Sequence, residues 1–459
     1  MSMTFPPMAP FTVDRRQQIF LGVDVETGKR AWSDGEASVG VVGPPRSGKT
    51  SGLLIAALMY WDGAAVVAST RGDILRAVGD RRRALADPSG GGVYIYDPTG
   101  SEPGVTSLHW SALAGCEDAE WTYRQVHAMT GSAGRGISDG DHWTGGAADI
   151  LRPYFHAAAI AKKGMRDVRT WLSRQELDEP ADILVDHGSE AAFWGEDLRS
   201  LRLIGERERG SYFSVARRAI AATSSPKVLA FSDRSDLDVD RFLATGSTLF
   251  IVGPSRHQAA LSPMIVGLVN SIAERASEIA ARHGGRLRRP LLLALDEVAN
   301  TAPMDLGPLV SEGGGRGILT LWTAQNLAQL RARYGDHGAE AILSASTVKV
   351  TYGGLVGDSD VFSSWAGEAR EASTTYHGAS SGAVRAGSDP TGAAAERAQM
   401  SREHSVSTIY RPLLPSSEIR RTPPGYAYLW YRSEPHRLVM TPPALMLEPY
   451  RALAGYTPD

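Results

Sequence analysis

The fold of this chain is decided by residues 37–61, ASVGVVGPPRSGKTSGLLIAALMYW. The apolar run Val39–Val42 predicts a β-strand, and the apolar run from Leu53 to Trp61 predicts a helix. Between them lies a complete GxxxxGK[ST] sequence, from Gly43 to Thr50. A strand, a glycine-rich loop and a helix in this order are typical of a phosphate-binding loop, or P-loop.

Each residue type in this loop has a chemical role in binding a nucleotide. The glycines allow consecutive backbone N–H groups to point into one concavity at a helix N-terminus, where they bind a phosphate chain. We expect Lys49 to reach the β- and γ-phosphates and the Thr50 hydroxyl to bind Mg²⁺, so ATP and Mg²⁺ are the expected cofactors. The predicted nucleotide-binding residues are Gly43, Pro44, Pro45, Arg46, Ser47, Gly48, Lys49, Thr50 and Ser51.

Apolar runs elsewhere predict a sheet around this loop. Most are apolar throughout, as in parallel strands that are covered on both faces. Helical periodicity separates several of them, most clearly at 259–283, so the sequence predicts an α/β sheet of crossover units. The predicted strands are 17–23, 37–43, 64–69, 93–97, 247–253, 291–297, 317–325, 347–354 and 426–432.

A second carboxylate site is predicted at the end of the run Leu291-Leu-Leu-Ala-Leu-Asp-Glu297. A buried strand that ends in two acids must place those charges where they are neutralised. We expect Asp296 to hold Mg²⁺ through water and Glu297 to act as the general base that polarises the attacking water. The alternative is a strand end that simply meets solvent.

Two further residues are candidates for catalytic roles. Gln325 ends the next apolar strand, where an amide could sense the γ-phosphate or position water; the alternative is a polar strand end. Arg316 lies in the turn GGGRG before that strand, and it could enter the site of a neighbouring subunit as an arginine finger. A solvated loop arginine has the same pattern.

Two segments interrupt the α/β pattern. Residues 119–225 contain no convincing strand and are helical in pattern, which predicts an all-α insertion. Residues 371–400 are rich in Gly, Ala and Ser, which predicts a mobile loop.

Composition excludes a broadly basic, histone-like DNA binder, because 48 Lys and Arg oppose 51 Asp and Glu, for a net charge of −3. Three arginine clusters are nevertheless candidate phosphate contacts, although solvated helix ends give the same pattern. They are Arg81 to Arg83, Arg217 with Arg218, and Arg282 with Arg286, Arg288 and Arg289. The single cysteine excludes an intramolecular disulfide, so an intracellular protein is expected.

Taken together, these motifs resemble the type IV coupling proteins of bacterial conjugation and type IV secretion. The resemblance rests on GPPRSGKTSG, AAVVASTRGDILRAV, VYIYDPTG, LLLALDEVAN, GRGILTLWTAQNLAQLRARYG and RPLLPSSEIRRTPPGYAYLWYRSEP, and it runs from about residue 21 to 450. It implies a RecA-like ATPase domain at 31–118 and 226–450, an all-α insertion at 119–225 and an N-terminal strand extension at 1–30. Lys49, Thr50, Asp296, Glu297, Gln325 and Arg316 occupy the positions that match the family's motifs.

The resemblance also implies partners. Such proteins assemble as hexamers, recruit a relaxase-bound single DNA strand or effector proteins, and pass them to a secretion channel. They usually begin with a transmembrane segment, whereas no run here approaches the roughly 20 apolar residues of a membrane span. We therefore expect a cytoplasmic protein that contacts the inner membrane through a partner or through an anchor outside this polypeptide.

Two other functions stay open on the sequence alone. A double-strand DNA translocase of the FtsK or HerA kind shares the RecA-like core. A nucleotide-gated receptor that recruits effector proteins and hydrolyses little ATP would use the same loop.

Overall fold

A computed structural model describes residues 17–134, 140–376 and 404–443. Its centre is an eleven-stranded sheet in the order β2-β1-β13-β12-β9-β3-β8-β7-β4-β6-β5, and β10 and β11 form a separate two-stranded ribbon. The strands are β1 Phe20–Asp24, β2 Arg30–Trp32, β3 Val39–Val42, β4 Ala64–Ser69, β5 Val93–Tyr96, β6 Thr248–Val252, β7 Leu291–Leu295, β8 Ile318–Ala324, β9 Val348–Tyr352, β10 Glu368–Tyr376, β11 His404–Pro412, β12 Tyr426–Tyr431 and β13 Arg437–Met440.

Helices cover both faces of this sheet. They are α1 Ile55–Tyr60, α2 Asp73–Leu85, α3 Ala119–Gly134, α4 Gly140–Ile160, α5 Met165–Arg174, α6 Glu179–Asp186, α7 Phe193–Ser200, α8 Glu206–Ala219, α9 Pro226–Ala230, α10 Val239–Ala244, α11 Gln258–Arg282, α12 Val298–Thr301, α13 Leu306–Ser311, α14 Gly313–Arg316, α15 Leu327–Ala345, α16 Asp358–Ala366 and α17 Ser416–Arg421. A wide helical turn, Lys49–Leu54, leads from the P-loop into α1, and Gly335 interrupts α15 with a φ of 74°.

The sheet has a parallel part and an antiparallel wing. Strands β9, β3, β8, β7, β4, β6 and β5 are parallel, whereas β12, β13, β1 and β2 continue the sheet in antiparallel pairs. The central strands are buried throughout and apolar, as parallel strands between two helical layers must be. The predicted α/β fold class is therefore confirmed.

All nine predicted strands are present, but four further strands were missed. The three-residue β2 and the four-residue β13 are too short to give a period-2 pattern, and both lie in the antiparallel wing. The ribbon strands β10 and β11 are polar in sequence. Residues 371–376 of the predicted 371–400 loop belong to β10, so that part of the prediction is wrong, and residues 377–400 lie outside the described residues.

The helices α3 to α8 occupy most of the interval 119–225, where an all-α insertion was predicted. Their apolar side chains form one continuous core with α11 and with one face of the sheet, while a second core on the other face contains α1. The insertion therefore packs on the sheet through a shared hydrophobic interior. Among the described residues, no helix combines the length and the apolar character that a membrane crossing requires.

One member of the candidate DNA-contact cluster Arg81 to Arg83 has a different role. Arg82 is fully buried, and its guanidinium donates to the carbonyls of Leu58, Trp61 and Gly63 and to the Thr248 hydroxyl. These carbonyls lie at and just beyond the end of α1, where peptide groups lack partners within the helix. Arg82 therefore fixes the C-terminal end of the helix that follows the P-loop, and it cannot contact DNA.

The start of that helix is held by close packing against the end of β13. A Cβ atom added at Gly52 would lie 2.2 Å from the Thr441 carbonyl oxygen, a backbone atom that cannot move aside alone. The Thr441 hydroxyl is also 3.0 Å from the hydroxyl of Tyr352, whose ring backs the P-loop. The C-terminal antiparallel wing therefore buttresses the loop.

We expect Gly52→Ala to lower the free energy of unfolding by about 1–3 kcal/mol, because the added methyl group overpacks this contact. Thermal and urea unfolding measure the change. The matched control is Gly145→Ala in α4, where an added Cβ meets nothing within 4 Å. That variant should gain roughly 0.5–1 kcal/mol from helix propensity. A neutral Gly52→Ala variant would contradict the packing.

Candidate phosphate-binding and catalytic site

The candidate site lies along the carboxyl edge of the parallel sheet. Strands β3, β8, β7 and β4 are consecutive neighbours, so the residues that follow their C-terminal ends meet at one edge. These residues are the P-loop after β3, Gln325 after β8, Asp296 and Glu297 after β7, and Ser69 at the end of β4. The sheet thus brings together four segments that are far apart in sequence.

The P-loop closes around its own lysine. Lys49 is 5% exposed, and its Nζ donates to the carbonyl oxygens of Gly43, at 2.5 Å, and Pro44, at 3.0 Å. Burial lowers the pKa of Lys49 from its usual value, while the negative charges of Asp296 and Glu297 oppose that shift. These two carboxylates favour the charged ammonium, which is the form that can bind a phosphate anion in place of the carbonyls.

The loop backbone fits a phosphate chain. Gly48 has a φ of 104°, which glycine adopts without strain. A Cβ at Gly43 would lie 2.8 Å from both the Ser47 Oγ and the Tyr352 Cβ, so only glycine fits there. The Ser47 Oγ is buried and has no hydrogen-bond partner among the described residues. A hydroxyl left unpaired at this position can be satisfied by a phosphate oxygen.

Asp296 is the most heavily bonded group of the site. Its 7%-exposed side chain accepts hydrogen bonds from the hydroxyls of Thr323, at 2.9 Å, Thr50, at 3.1 Å, and Ser69, at 3.2 Å. Burial raises the pKa of Asp296, the hydroxyls lower it and the charge of Glu297 raises it further. A hard oxygen donor beside the Thr50 hydroxyl matches the ligands that Mg²⁺ prefers.

Glu297 and Gln325 form a pair. Glu297 has a left-handed backbone, with φ 49° and ψ 55°, and its amide N–H donates to the Thr323 hydroxyl at 2.8 Å. The Gln325 Nε2 donates to the Glu297 Oε1 at 2.8 Å. A left-handed backbone is strained in a residue other than glycine, and such strain is found mainly at functional sites, where the surrounding structure imposes it. The structure therefore places both predicted residues together, with the amide orienting the carboxylate.

Arg316 is not part of this group of residues. It lies at the end of α14, immediately before β8, whereas Gln325 follows the other end of that strand. Seven residues of β-strand span roughly 23 Å at about 3.3 Å per residue. The Arg316 guanidinium is half-exposed and is 3.1 Å from the Glu312 carboxylate. Arg316 thus lies at the opposite edge of the sheet from the P-loop of its own chain.

Sequence reasoning missed three residues that shape the site. The hydroxyls of Ser69 and Thr323 bind Asp296, and the ring of Tyr352 lies beneath the P-loop glycines. Ser69 ends a predicted strand, Tyr352 lies two residues before the end of the predicted strand 347–354, and Thr323 lies two residues before Gln325. Ser69 and Thr323 are polar residues near the carboxyl ends of β4 and β8, but their proximity to Asp296 follows only from the position of β7 between these two strands.

Comparison with known proteins agrees with this geometry. Residues 11–425 match the family described as Type IV secretory system Conjugative DNA transfer. The chain belongs to this family. The predicted resemblance to type IV coupling proteins is therefore confirmed.

Curated relatives within this conjugative transfer family include the conjugal transfer protein TraG of Escherichia coli. It is 25% identical over 334 residues, which are 67% of this chain and 51% of TraG. A probable conjugal transfer protein TraG of Sinorhizobium fredii is 25% identical over 307 residues, covering 63% and 46% of the two chains. The chain thus spans about half the length of the curated relatives that it matches.

Solved structures show the same fold. The unbound conjugative coupling protein TrwBdeltaN70 superimposes with a TM-score of 0.65 over 93% of this chain and 88% of its own, at 18% identity. TrwB in complex with ADP and Mg²⁺ also gives 0.65, over 92% and 88%, at 19% identity. At these identities the likeness establishes the RecA-like fold of this member of the conjugative transfer family.

Asp296 offers a test of the site that needs no activity measurement. We expect Asp296→Asn to raise the melting temperature of the protein without ligand, because the buried charge is removed while the three hydroxyls can still bond the amide. The free energy of unfolding should increase by about 1–3 kcal/mol. The same variant should lose the stabilisation that Mg²⁺ and nucleotide give to the wild type.

Calorimetric unfolding with and without Mg²⁺ and nucleotide measures both effects. Asp305→Asn, which changes a carboxylate that caps α13 outside the cluster, is the control and should keep the ligand-induced shift. A lower melting temperature for ligand-free Asp296→Asn would show that the carboxylate is not a destabilising group.

Proposed function

We propose that the chain is an ATP-hydrolysing motor of conjugative DNA transfer, which moves DNA or a DNA–protein substrate towards a type IV secretion channel. The observation that carries this proposal is the cluster of Asp296, Thr50, Glu297 and Gln325 against the P-loop. Such a cluster has the four parts that phosphoryl transfer to water requires: a phosphate cradle, a cation site, a base and a group that orients the base.

Each residue then has a defined role. The loop amides and Lys49 bind the β- and γ-phosphates, and Lys49 exchanges the Gly43 and Pro44 carbonyls for phosphate oxygens. Thr50 and Asp296 are the residues that would hold Mg²⁺, which supplies positive charge to the phosphate oxygens. Glu297 accepts a proton from the attacking water, and Gln325 keeps the Glu297 carboxylate oriented until it does so.

Solved complexes of TrwB support a nucleotide cofactor. They contain the non-hydrolysable ATP analogue ADPNP, the GTP analogue GDPNP, and ADP with Mg²⁺. Together with the P-loop of this chain, these complexes favour a nucleotide and Mg²⁺ as cofactors here, and we propose ATP as that nucleotide.

The partners follow from the family. As a member of the conjugative DNA transfer family, the chain is proposed to bind single-stranded DNA, with a relaxase or effector protein attached, and components of the secretion channel. We further propose a homo-hexamer at the cytoplasmic face of the inner membrane. A net charge of −3 is compatible with DNA binding, because only the surface that lines a pore needs to be basic.

ATP hydrolysis with no DNA, with single strands and with duplex tests this function. We expect Lys49→Ala to reduce hydrolysis by at least ~100-fold through lost phosphate binding. Glu297→Gln should reduce it by a similar factor, on the order of 10²-fold or more, because the base is lost, while nucleotide binding is retained. Lys29→Ala and Glu26→Gln, both exposed and remote from the site, are the matched controls.

The assays with single-stranded and with duplex DNA distinguish the alternative functions. Stimulation by single strands above duplex supports the coupling function, and stimulation by duplex alone indicates a double-strand translocase. Slow turnover that no DNA stimulates indicates an effector receptor. Wild-type hydrolysis by Lys49→Ala would refute the assigned site.

The position of Arg316 allows a separate test of assembly. Because Arg316 lies across the sheet from its own P-loop, it can serve only the site of a neighbouring subunit. We expect Arg316→Ala and Glu297→Gln each to lose hydrolysis when pure, by about 10³-fold for the finger. Mixing the two variants should restore partial activity, because some sites combine the intact Glu297 of an Arg316→Ala subunit with the intact Arg316 of a neighbouring Glu297→Gln subunit.

The control for this mixing experiment is Arg234→Ala, which changes an exposed arginine between α9 and α10 and should be fully active. If mixtures of the two inactive variants stay inactive while both assemble, Arg316 does not act between subunits.

A further inference from the structure

The apex of the P-loop carries an arginine in a left-handed backbone conformation. Arg46 has a φ of 63° and an exposed side chain, between the exposed Pro45 and the half-buried Ser47. A residue with a Cβ atom is strained in this conformation, whereas glycine is not. The chain therefore retains a guanidinium at a position where glycine would be conformationally easier.

The other strained positions show what is unusual about this one. Among the described residues, five that are not glycine have a positive φ: Arg46, Lys162, Gln175, Glu297 and Arg432. Lys162 and Gln175 follow the ends of α4 and α5, where left-handed residues commonly terminate helices. Arg432 lies in the turn between β12 and β13. Only Arg46 and Glu297 lie at the phosphate site, where the phosphate-binding loop and the end of β7 impose the left-handed backbone.

The Arg46 side chain also has spare bonding capacity. Within the described parts of the chain, no hydrogen bond, ion pair or aromatic contact of its side chain is found, whereas Arg432 is paired with Asp34. A guanidinium has five N–H donors in a planar fork that matches two phosphate oxygens. Here that fork emerges from the loop whose amides and lysine face a phosphate chain.

We propose that the Arg46 guanidinium binds the terminal phosphate of the nucleotide held by its own P-loop, so that this chain distinguishes a triphosphate from a diphosphate. The proposal rests on the nucleotide-binding function proposed above and adds a side-chain contact to the backbone role of the loop. The γ-phosphate carries the charge that a diphosphate lacks at that place. Arg46 therefore favours binding of the triphosphate over binding of the diphosphate product.

The experiment compares the affinities of the wild type for ADPNP and for ADP, both with Mg²⁺, with those of two variants. Arg46→Gly removes the charge and relieves the strain, and Arg46→Asn removes the charge with a residue that tolerates the left-handed region. We expect ADPNP affinity to fall roughly 10-fold or more, and ADP affinity by less than about twofold, because one charge-assisted contact to the terminal phosphate is lost.

A stability readout separates binding from folding. The ligand-free melting temperature of Arg46→Gly should equal or exceed that of the wild type, since strain is released. Arg46→Lys keeps a point charge without the planar fork and should lose part of the ADPNP preference. Arg432→Gly is the matched control, because it changes an arginine of similar φ away from the site and should leave both affinities unchanged.

The outcomes distinguish this proposal from the one that it rests on. If Lys49→Ala binds both nucleotides as the wild type does, the nucleotide site itself is misassigned. If Lys49→Ala loses binding but Arg46→Gly and Arg46→Asn keep the wild-type ratio of ADPNP to ADP affinity, the proposed contact of Arg46 is wrong and the nucleotide site stands.

Discussion

The organisation of the site depends on one buried carboxylate. The Asp296 side chain is almost fully buried. Because an unpaired buried charge costs several kcal/mol, this carboxylate must be stabilised by hydrogen bonds. The three hydroxyls that supply these bonds come from three elements: the turn after the P-loop, β4 and β8. Each bond fixes one of these elements against the end of β7. The carboxylate therefore sets the alignment of the strand ends that face the phosphate loop.

The sequence predicted those parts of the site whose residues are adjacent in the chain, and it did not predict those that only the fold brings together. The P-loop and Asp296 were predicted because each motif combines an apolar strand with the polar residues that directly follow it. The hydroxyls of Ser69 and Thr323 were not, because their function is defined only by strand order, with β7 between β4 and β8. Arg82 was misread for a similar reason, since an arginine cluster on a helix gives no sign that one member caps another helix.

The shared core links the helical insertion physically to the catalytic edge. Helix α11 packs against α3 and α8 of the insertion. Near its other end, the Ser262 hydroxyl on α11 donates to the Asn300 carbonyl at 3.1 Å, in the short helix that begins directly after Glu297. Dense packing transmits small displacements rather than absorbing them. A single helix, α11, therefore contacts both the insertion and the short helix that follows Glu297.

The site holds its groups in arrangements that a bound phosphate would change. Lys49 is buried against two carbonyls, a neutral substitute for an anion, and burial depresses its pKa. The Ser47 hydroxyl is unsatisfied among the described residues, and Glu297 occupies a strained backbone region. A phosphate chain would relieve the first two costs directly, by offering oxygens to both groups. Phosphate oxygens would therefore pair the Ser47 hydroxyl and give Lys49 an anionic partner, while the strained backbone of Glu297 belongs to the proposed general base.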